Sequence, residues 1–134
     1  MSDRCYEFHG TRIFECAAEG EPLRTDRDAA EVVNQAFNHG ARFVVLPVER
    51  LGDDFFRLST RIAGEVLGKM VVYKIRVAIV GDISDYVARS APLRDFVVEC
   101  NRGQEIWFVK DLDELQARLS YAAAMKRSED SSMQ

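Results

Sequence analysis

The runs Arg42-Phe43-Val44-Val45-Leu46-Pro47-Val48 and Ile75-Arg76-Val77-Ala78-Ile79-Val80 set the strongest limit on what this chain can become. Each is apolar at nearly every position, so a strand built from it hides both faces. Strands of that kind belong to parallel sheets covered by helices. A parallel pair needs a crossover connection, and residues 53–72 between the two runs supply enough chain for one helix. The spacing predicts a β-α-β unit at the centre of an α/β fold.

The flanking segments extend the pattern. Tyr6 to Phe8 and Thr11 to Cys16 read as short strands around His9-Gly10, a tight hairpin. Thr25 or Asp26 caps an amphipathic helix in which Ala29, Val32, Val33, Ala36 and Phe37 recur at spacings of three and four, and Gly40 stops it. A helix from Pro92 to Cys100 stops at Asn101-Arg102-Gly103, the strand Glu105 to Val109 follows, and Asp111 caps a last helix through Leu112, Leu115, Leu119 and Ala122. The predicted order is β-β-α-β-α-β-α-β-α. It corresponds to a mixed, mostly parallel sheet of about five strands with four helices. Residues 1–125 form one domain in this reading, and the polar, aperiodic residues 126–134 form a frayed tail.

Composition excludes more than it identifies. The chain has 134 residues, enough for one core, and 18 basic against 22 acidic side chains leave a net charge of -4. That balance gives no broad attraction to nucleic acid or to an anionic membrane. No apolar run approaches the roughly 20 residues of a spanning helix. The opening Met1-Ser2-Asp3-Arg4 lacks the apolar centre of a signal peptide, so a cytoplasmic location is expected. Cys5, Cys16 and Cys100 are scattered without a C-x-x-C pair, which argues against a disulfide framework or structural zinc. Cys16 lies seven residues from His9, but packing as a small hydrophobe is the stronger expectation for it. Neither a metal nor a cofactor is expected.

Ligands of parallel sheets gather beyond the carboxyl ends of the strands, which points to residues 49–54, 81–90 and 110–113. Asp53, Asp54, Asp82, Asp85 and Asp111 could converge there and hold Mg²⁺ for phosphoryl transfer. Against this, Asp53 or Asp54, Asp82 and Asp111 each stand where a carboxylate meets free N–H groups at a helix start, and capping is the expectation. The chain carries neither G-x-G-x-x-G, nor a P-loop, nor G-x-S-x-G, and Ser59 has no obvious histidine partner. No catalytic residue is assigned.

The stretch Asp53-Asp54-Phe55-Phe56-Arg57-Leu58-Ser59-Thr60-Arg61 continues to Glu65 as one helix on this reading. On a helical wheel Phe55, Phe56, Leu58, Ile62, Ala63, Val66, Leu67 and Met70 cover one half, and Ser59 falls among them. Arg57, Arg61, Glu65 and Lys69 follow at spacing four on the solvated half. Thr60, Gly64 and Gly68 form a small-residue strip, expected to allow close packing on the sheet or against a partner.

The motifs Phe55-Phe56-Arg57-Leu58-Ser59-Thr60, Ala63-Gly64-Glu65, Ala78-Ile79-Val80-Gly81-Asp82, Tyr86, Leu93-Arg94-Asp95-Phe96 and Glu99-Cys100-Asn101-Arg102-Gly103, with Lys69, Tyr73 and Phe108-Val109, together resemble the bacterial domain-of-unknown-function family 4180. The resemblance covers residues 25 to 120 and implies a glycine where Arg61 stands and Gln-Lys-Phe where Gly68-Lys69-Met70 stands. The family name carries no activity. The order of strands and helices is also similar to STAS domains, the class that includes anti-sigma-factor antagonists, in which a phosphorylated Ser or Thr lies at the start of this helix and the helix with its neighbouring loops docks onto a kinase partner. Here Asp53-Asp54 occupies the nearest position, with Ser59 and Thr60 more than a turn away.

Three readings follow. The first is a non-enzymatic binding or regulatory module whose protein partner uses Glu49, Asp53, Asp54, Ser59, Thr60, Gly64, Asp82, Asp85 and Tyr86. The second is a metal-dependent phosphoryl-transfer or small-ligand domain built on the acidic edge. The third is a homodimer joined through an edge strand or the small-residue strip.

Overall fold

The computed structural model describes the backbone of residues 3–132 and the side chains of residues 3–125. Five strands form one sheet whose spatial order equals their chain order: β1 (Arg4–Phe8), β2 (Thr11–Glu15), β3 (Phe43–Pro47), β4 (Arg76–Val80) and β5 (Ile106–Val109). β1 pairs antiparallel with β2, and every later pair is parallel. The hairpin turn is His9-Gly10, both at positive φ, which matches the twist of a two-residue hairpin. The expected α/β class and mostly parallel sheet are therefore observed.

Alternation along the strands divides the core in two. Phe14, Val44, Leu46, Val77, Ile79 and Phe108 point to one face, where α1 (Asp26–Asn38), α2 (Ile62–Val72), α3 (Ser84–Arg89) and α4 (Ala91–Arg102) cover them. Ile13, Phe43, Val45, Ala78, Trp107 and Val109 point to the other, where α5 (Leu112–Ser132) lays down Leu112, Leu115 and Leu119. Right-handed crossovers that always step to the next strand in the same direction put all their helices on one face, which leaves the other to the last helix.

Local chemistry explains the boundaries. Thr25 and Asp28 make a reciprocal capping box at α1, whose chain then turns through Gly40 at φ 70°. Phe37, expected on the apolar face of α1, instead lies exposed with its ring edge-on to Tyr73, 6.4 Å away. Ser90 caps α4 by accepting the Leu93 N–H, with Pro92 in the first turn. Asp111 caps α5 by accepting the Glu114 N–H at 2.8 Å.

Four details differ from the expectation. There are five α-helices, because the loop after β4 contains the short α3. α4 begins at Ala91 and ends at Arg102, a little beyond both expected limits. The crossover between β3 and β4 is a helix only from Ile62; before it come 3-10 turns at Val48–Arg50, Asp53–Phe56 and Leu58–Thr60. Finally, α5 runs on as helix through Ser132, where a tail was expected from Lys126; residues 133–134 lie outside the described residues.

Candidate functional site

The broken crossover is the origin of the site. Arg57 is extended, with φ -97° and ψ 103°, and Arg61 is left-handed at φ 66°, so the single helix predicted from Asp53 cannot form. The Thr60 hydroxyl reaches the Asp54 and Arg57 carbonyls, each at 2.8 Å, and accepts the Ile62 N–H, which joins the two turns to α2. Such local side-chain bonds compete with helical ones and favour tight turns. The fold still meets the apolar demand of the stretch, since Phe55 and Phe56 are buried and pack edge-to-face. Ser59, however, is exposed, not placed in the apolar half as the wheel implied. Asp53 and Asp54 make no capping bond, unlike Asp111.

The turns after β3 meet α3, which follows β4. The Tyr86 ring stacks on Phe56 with centroids 4.5 Å apart and planes 15° from parallel, and its hydroxyl donates to the Asp53 carboxylate. That hydrogen bond, with partial burial and the Asp53 charge, raises the Tyr86 phenol above its ordinary pKa. Arg89 lies over the outer side of the Tyr86 ring, 5.7 Å from its centroid. A cleft of about 490 Å³ opens between Asp53, Arg57 and Ser59 on one wall and Tyr86, Arg89 and Ser90 on the other.

The remaining candidates fall elsewhere. Glu49 borders a separate crevice of about 720 Å³ at the carboxyl ends of β2, β3 and β4, together with Lys110 and Asp111. Cys16 lines the same crevice, but burial pushes its thiol up to about 12, so it stays protonated at neutral pH. His9 is not its partner: its ring lies 2.8 Å from the Ser120 hydroxyl. Asp82 accepts the Ser84 N–H at 2.9 Å, and the Ser84 hydroxyl and N–H hold its carboxyl below the usual range. It borders a shallower groove of about 320 Å³. Asp85 is exposed beside this turn, and Asp54 stands 3.8 Å from Arg57.

The alternative of carboxylates converging on one edge is not observed. Among the described residues no three His, Cys, Asp or Glu side chains are grouped closely enough to hold a metal ion. The small-residue strip is also corrected. Gly64 and Gly68 face outward, and a Cβ at either would meet nothing within 4 Å, so neither glycine serves a close approach within the fold. Of the nine expected residues, the structure brings together Asp53, Ser59 and Tyr86, with Thr60 holding the turns in shape.

Sequence reasoning missed the other lining residues, Phe56, Arg57, Leu58, Arg89, Ser90 and Pro92. The one signal lay beside them, at Arg61. In similar sequences a glycine is expected at position 61, and its left-handed φ of 66° marks the end of a turn before the true helix start.

Comparison with known proteins gives one positive result: the model of a family described as Domain of unknown function (DUF4180) matches residues 8–119, most of the chain. The comparison with curated proteins and the comparison with solved structures each give no match. The strand and helix order remains only loosely consistent with the STAS class.

Proposed function

We propose that this chain, which belongs to the DUF4180 family, is a non-enzymatic binding module of the cytoplasm, with a protein partner that docks on the ledge between the turns after β3 and helix α3. The observation that carries this reading is the Tyr86 lock. Stacking on Phe56 and the bond to Asp53, 33 residues away in the chain, hold the turns after β3 and helix α3 together as one surface. Preorganisation of this kind lowers the cost of binding. Arg57 and Ser59 remain exposed beside it, and Arg89 adds a second cation.

Chemistry supports binding over turnover. Ser59 is the exposed hydroxyl nearest the cleft, and neither histidine lines it. The one carboxylate of the cleft, Asp53, accepts the Tyr86 hydroxyl, so Ser59 has no activating histidine beside it. The cleft suits one or two inserted side chains, and arginines at its rim favour an acidic or aromatic contact. Among the described residues no helix is long and apolar enough to cross a membrane.

The test is site-specific photo-crosslinking of the full chain in its native cell. A photoreactive residue at position 59 is expected to capture a discrete protein, and Arg57→Glu with Arg89→Glu is expected to abolish that capture. The same label at Glu7, on exposed strand β1, is the control. Equal capture from both positions would sink the proposal, as would turnover on a phosphatase, esterase or nuclease panel that Asp54→Ala or Asp82→Ala removes.

A further inference from the structure

The opposite face of the sheet carries a second arrangement that the docking ledge does not use. Arg76 opens β4 on the α5 side, directly opposite Phe43 in the register. Its guanidinium lies 5.2 Å from the Phe43 ring centroid and 5.0 Å from that of Trp107 on β5. Arg118 descends from α5 onto the same indole, at 4.2 Å. Two cations thus share one aromatic ring.

Their hydrogen bonds go to neutral carbonyls. Arg76 Nε donates to the Gln104 carbonyl at 2.8 Å, and Arg118 donates to the Asn101 carbonyl at 2.8 Å. Neither is in a salt bridge among the described residues. Glu114, one helical turn before Arg118, lines the same cleft but stands outside ion-pair distance. Arg76 Nη2 is buried with no hydrogen-bond partner, the one such side-chain atom among the described residues. A buried charged donor without a partner is costly, and its usual explanation is a missing water or ion. Burial depresses the pKa of both arginines, and the Arg118 charge depresses Arg76 further. The cleft around them measures about 830 Å³, and its outer wall is apolar: Tyr121 and Met125 are exposed there, beside Ala122.

We infer that this cleft is a binding site for a small organic oxyanion, a carboxylate or phosphate monoester, held by Arg76 and Arg118 with its apolar body against Tyr121, Ala122 and Met125. Guanidinium groups match planar and tetrahedral oxyanions through paired N–H donors. The volume lies within the usual range for small-molecule sites, roughly 300–1,000 Å³. An anion here neutralises two like charges at once. It also gives Arg76 a counter-charge that its carbonyl contact cannot provide.

The chain contains a single tryptophan, so its fluorescence reads this cleft directly. Purified full-length protein is titrated with phenyl phosphate, inorganic phosphate and benzyl alcohol at constant ionic strength. Expected are a saturable Trp107 change with phenyl phosphate, a weaker response to inorganic phosphate, and none with benzyl alcohol. Arg118→Gln is expected to weaken phenyl phosphate binding at least about tenfold, the loss of one charged hydrogen-bond partner, with partial recovery in Arg118→Lys. Arg76→Gln is expected to act alike, and its melting curve shows whether it folds; if it does not, the Arg118 pair decides. No saturable change in the wild type, equal affinity in Arg118→Gln, or a benzyl alcohol response equal to that of phenyl phosphate would each overturn the inference.

Discussion

Tyr86 donates its hydroxyl to Asp53 across the gap between two β-α connections, and this bond depends on the phenol proton. Tyr86→Phe keeps the stacking on Phe56 and removes only the bond, so a loss of about 1 kcal/mol is expected at pH 7. The raised phenol pKa sets the pH window. The contribution is fully present below the ordinary tyrosine value of about 10 and is lost as pH rises through the higher folded value. Urea unfolding of both proteins at neutral and strongly alkaline pH should show the gap closing. A gap that widens with pH contradicts this account.

Backbone conformation predicts gains at two positions near the start of α2 and a loss at the glycine after β4. Arg61→Gly relieves a left-handed residue and is expected to stabilise by about 0.5–1 kcal/mol. Gly64→Ala adds a methyl into open space on a helix and is expected to gain up to about 1 kcal/mol. Gly81→Ala, at φ 148° and against Val48, should instead cost about 2 kcal/mol or more. Thermal melting of the three variants checks the signs.

Asp28 accepts the N–H groups of Arg24 and Thr25 at the start of α1, and the Arg24 bond is the largest cause of its lowered pKa. Its stabilising contribution is therefore present above the ordinary aspartate value of about 3.9 and is lost as pH falls through the lower folded value. Asp28→Ala should cost about 1 kcal/mol at pH 7, and the difference should vanish in strong acid. Denaturant midpoints across an acid series measure it.

Asn101 closes the outer edge of β5. Its side-chain oxygen accepts the Phe108 N–H at 2.7 Å, and its amide donates to the Phe108 carbonyl at 3.2 Å, as a sixth strand would. Asn101→Ala leaves both groups without partners and is expected to cost about 1–3 kcal/mol. It also opens a strand edge to other chains, so sedimentation should detect more association in the variant than in the wild type.

Elements with a strong period were legible before any coordinates. The doubly apolar runs gave β3 and β4, the Thr25 cap and Gly40 stop gave α1, and Asp111 gave the start of α5. The site was legible only in part. Asp53, Ser59 and Tyr86 were among the expected residues, but the helix that was to display Asp53 and Ser59 is a pair of 3-10 turns, and Tyr86 sits on α3 where a loop was expected. The helical period of Phe55, Phe56 and Leu58 continued smoothly into α2, and nothing in that pattern reveals that Arg57 is extended or Arg61 left-handed. Those angles follow from tertiary packing and from the Thr60 hydroxyl, which a wheel does not weigh. The carboxylates stand apart because Asp82 and Asp111 turn back to the N–H groups that follow them, while Asp53 reaches Tyr86 on α3. The Arg76–Trp107–Arg118 stack was hidden for another reason: its members come from β4, β5 and α5 and are close only in space.

A sheet whose spatial order equals its chain order has a kinetic consequence. Each new strand pairs with the one made just before it, so loop-closure entropy stays small at every step and no late segment must thread between earlier ones. During synthesis the hairpin can nucleate and the sheet can grow at one edge, one β-α unit at a time. Only α5 must wait, because the face it covers is not complete until β5 has emerged. Until then Trp107 and its neighbours are open to solvent, which makes docking of the last helix the step that closes the second half of the core and assembles the arginine cleft.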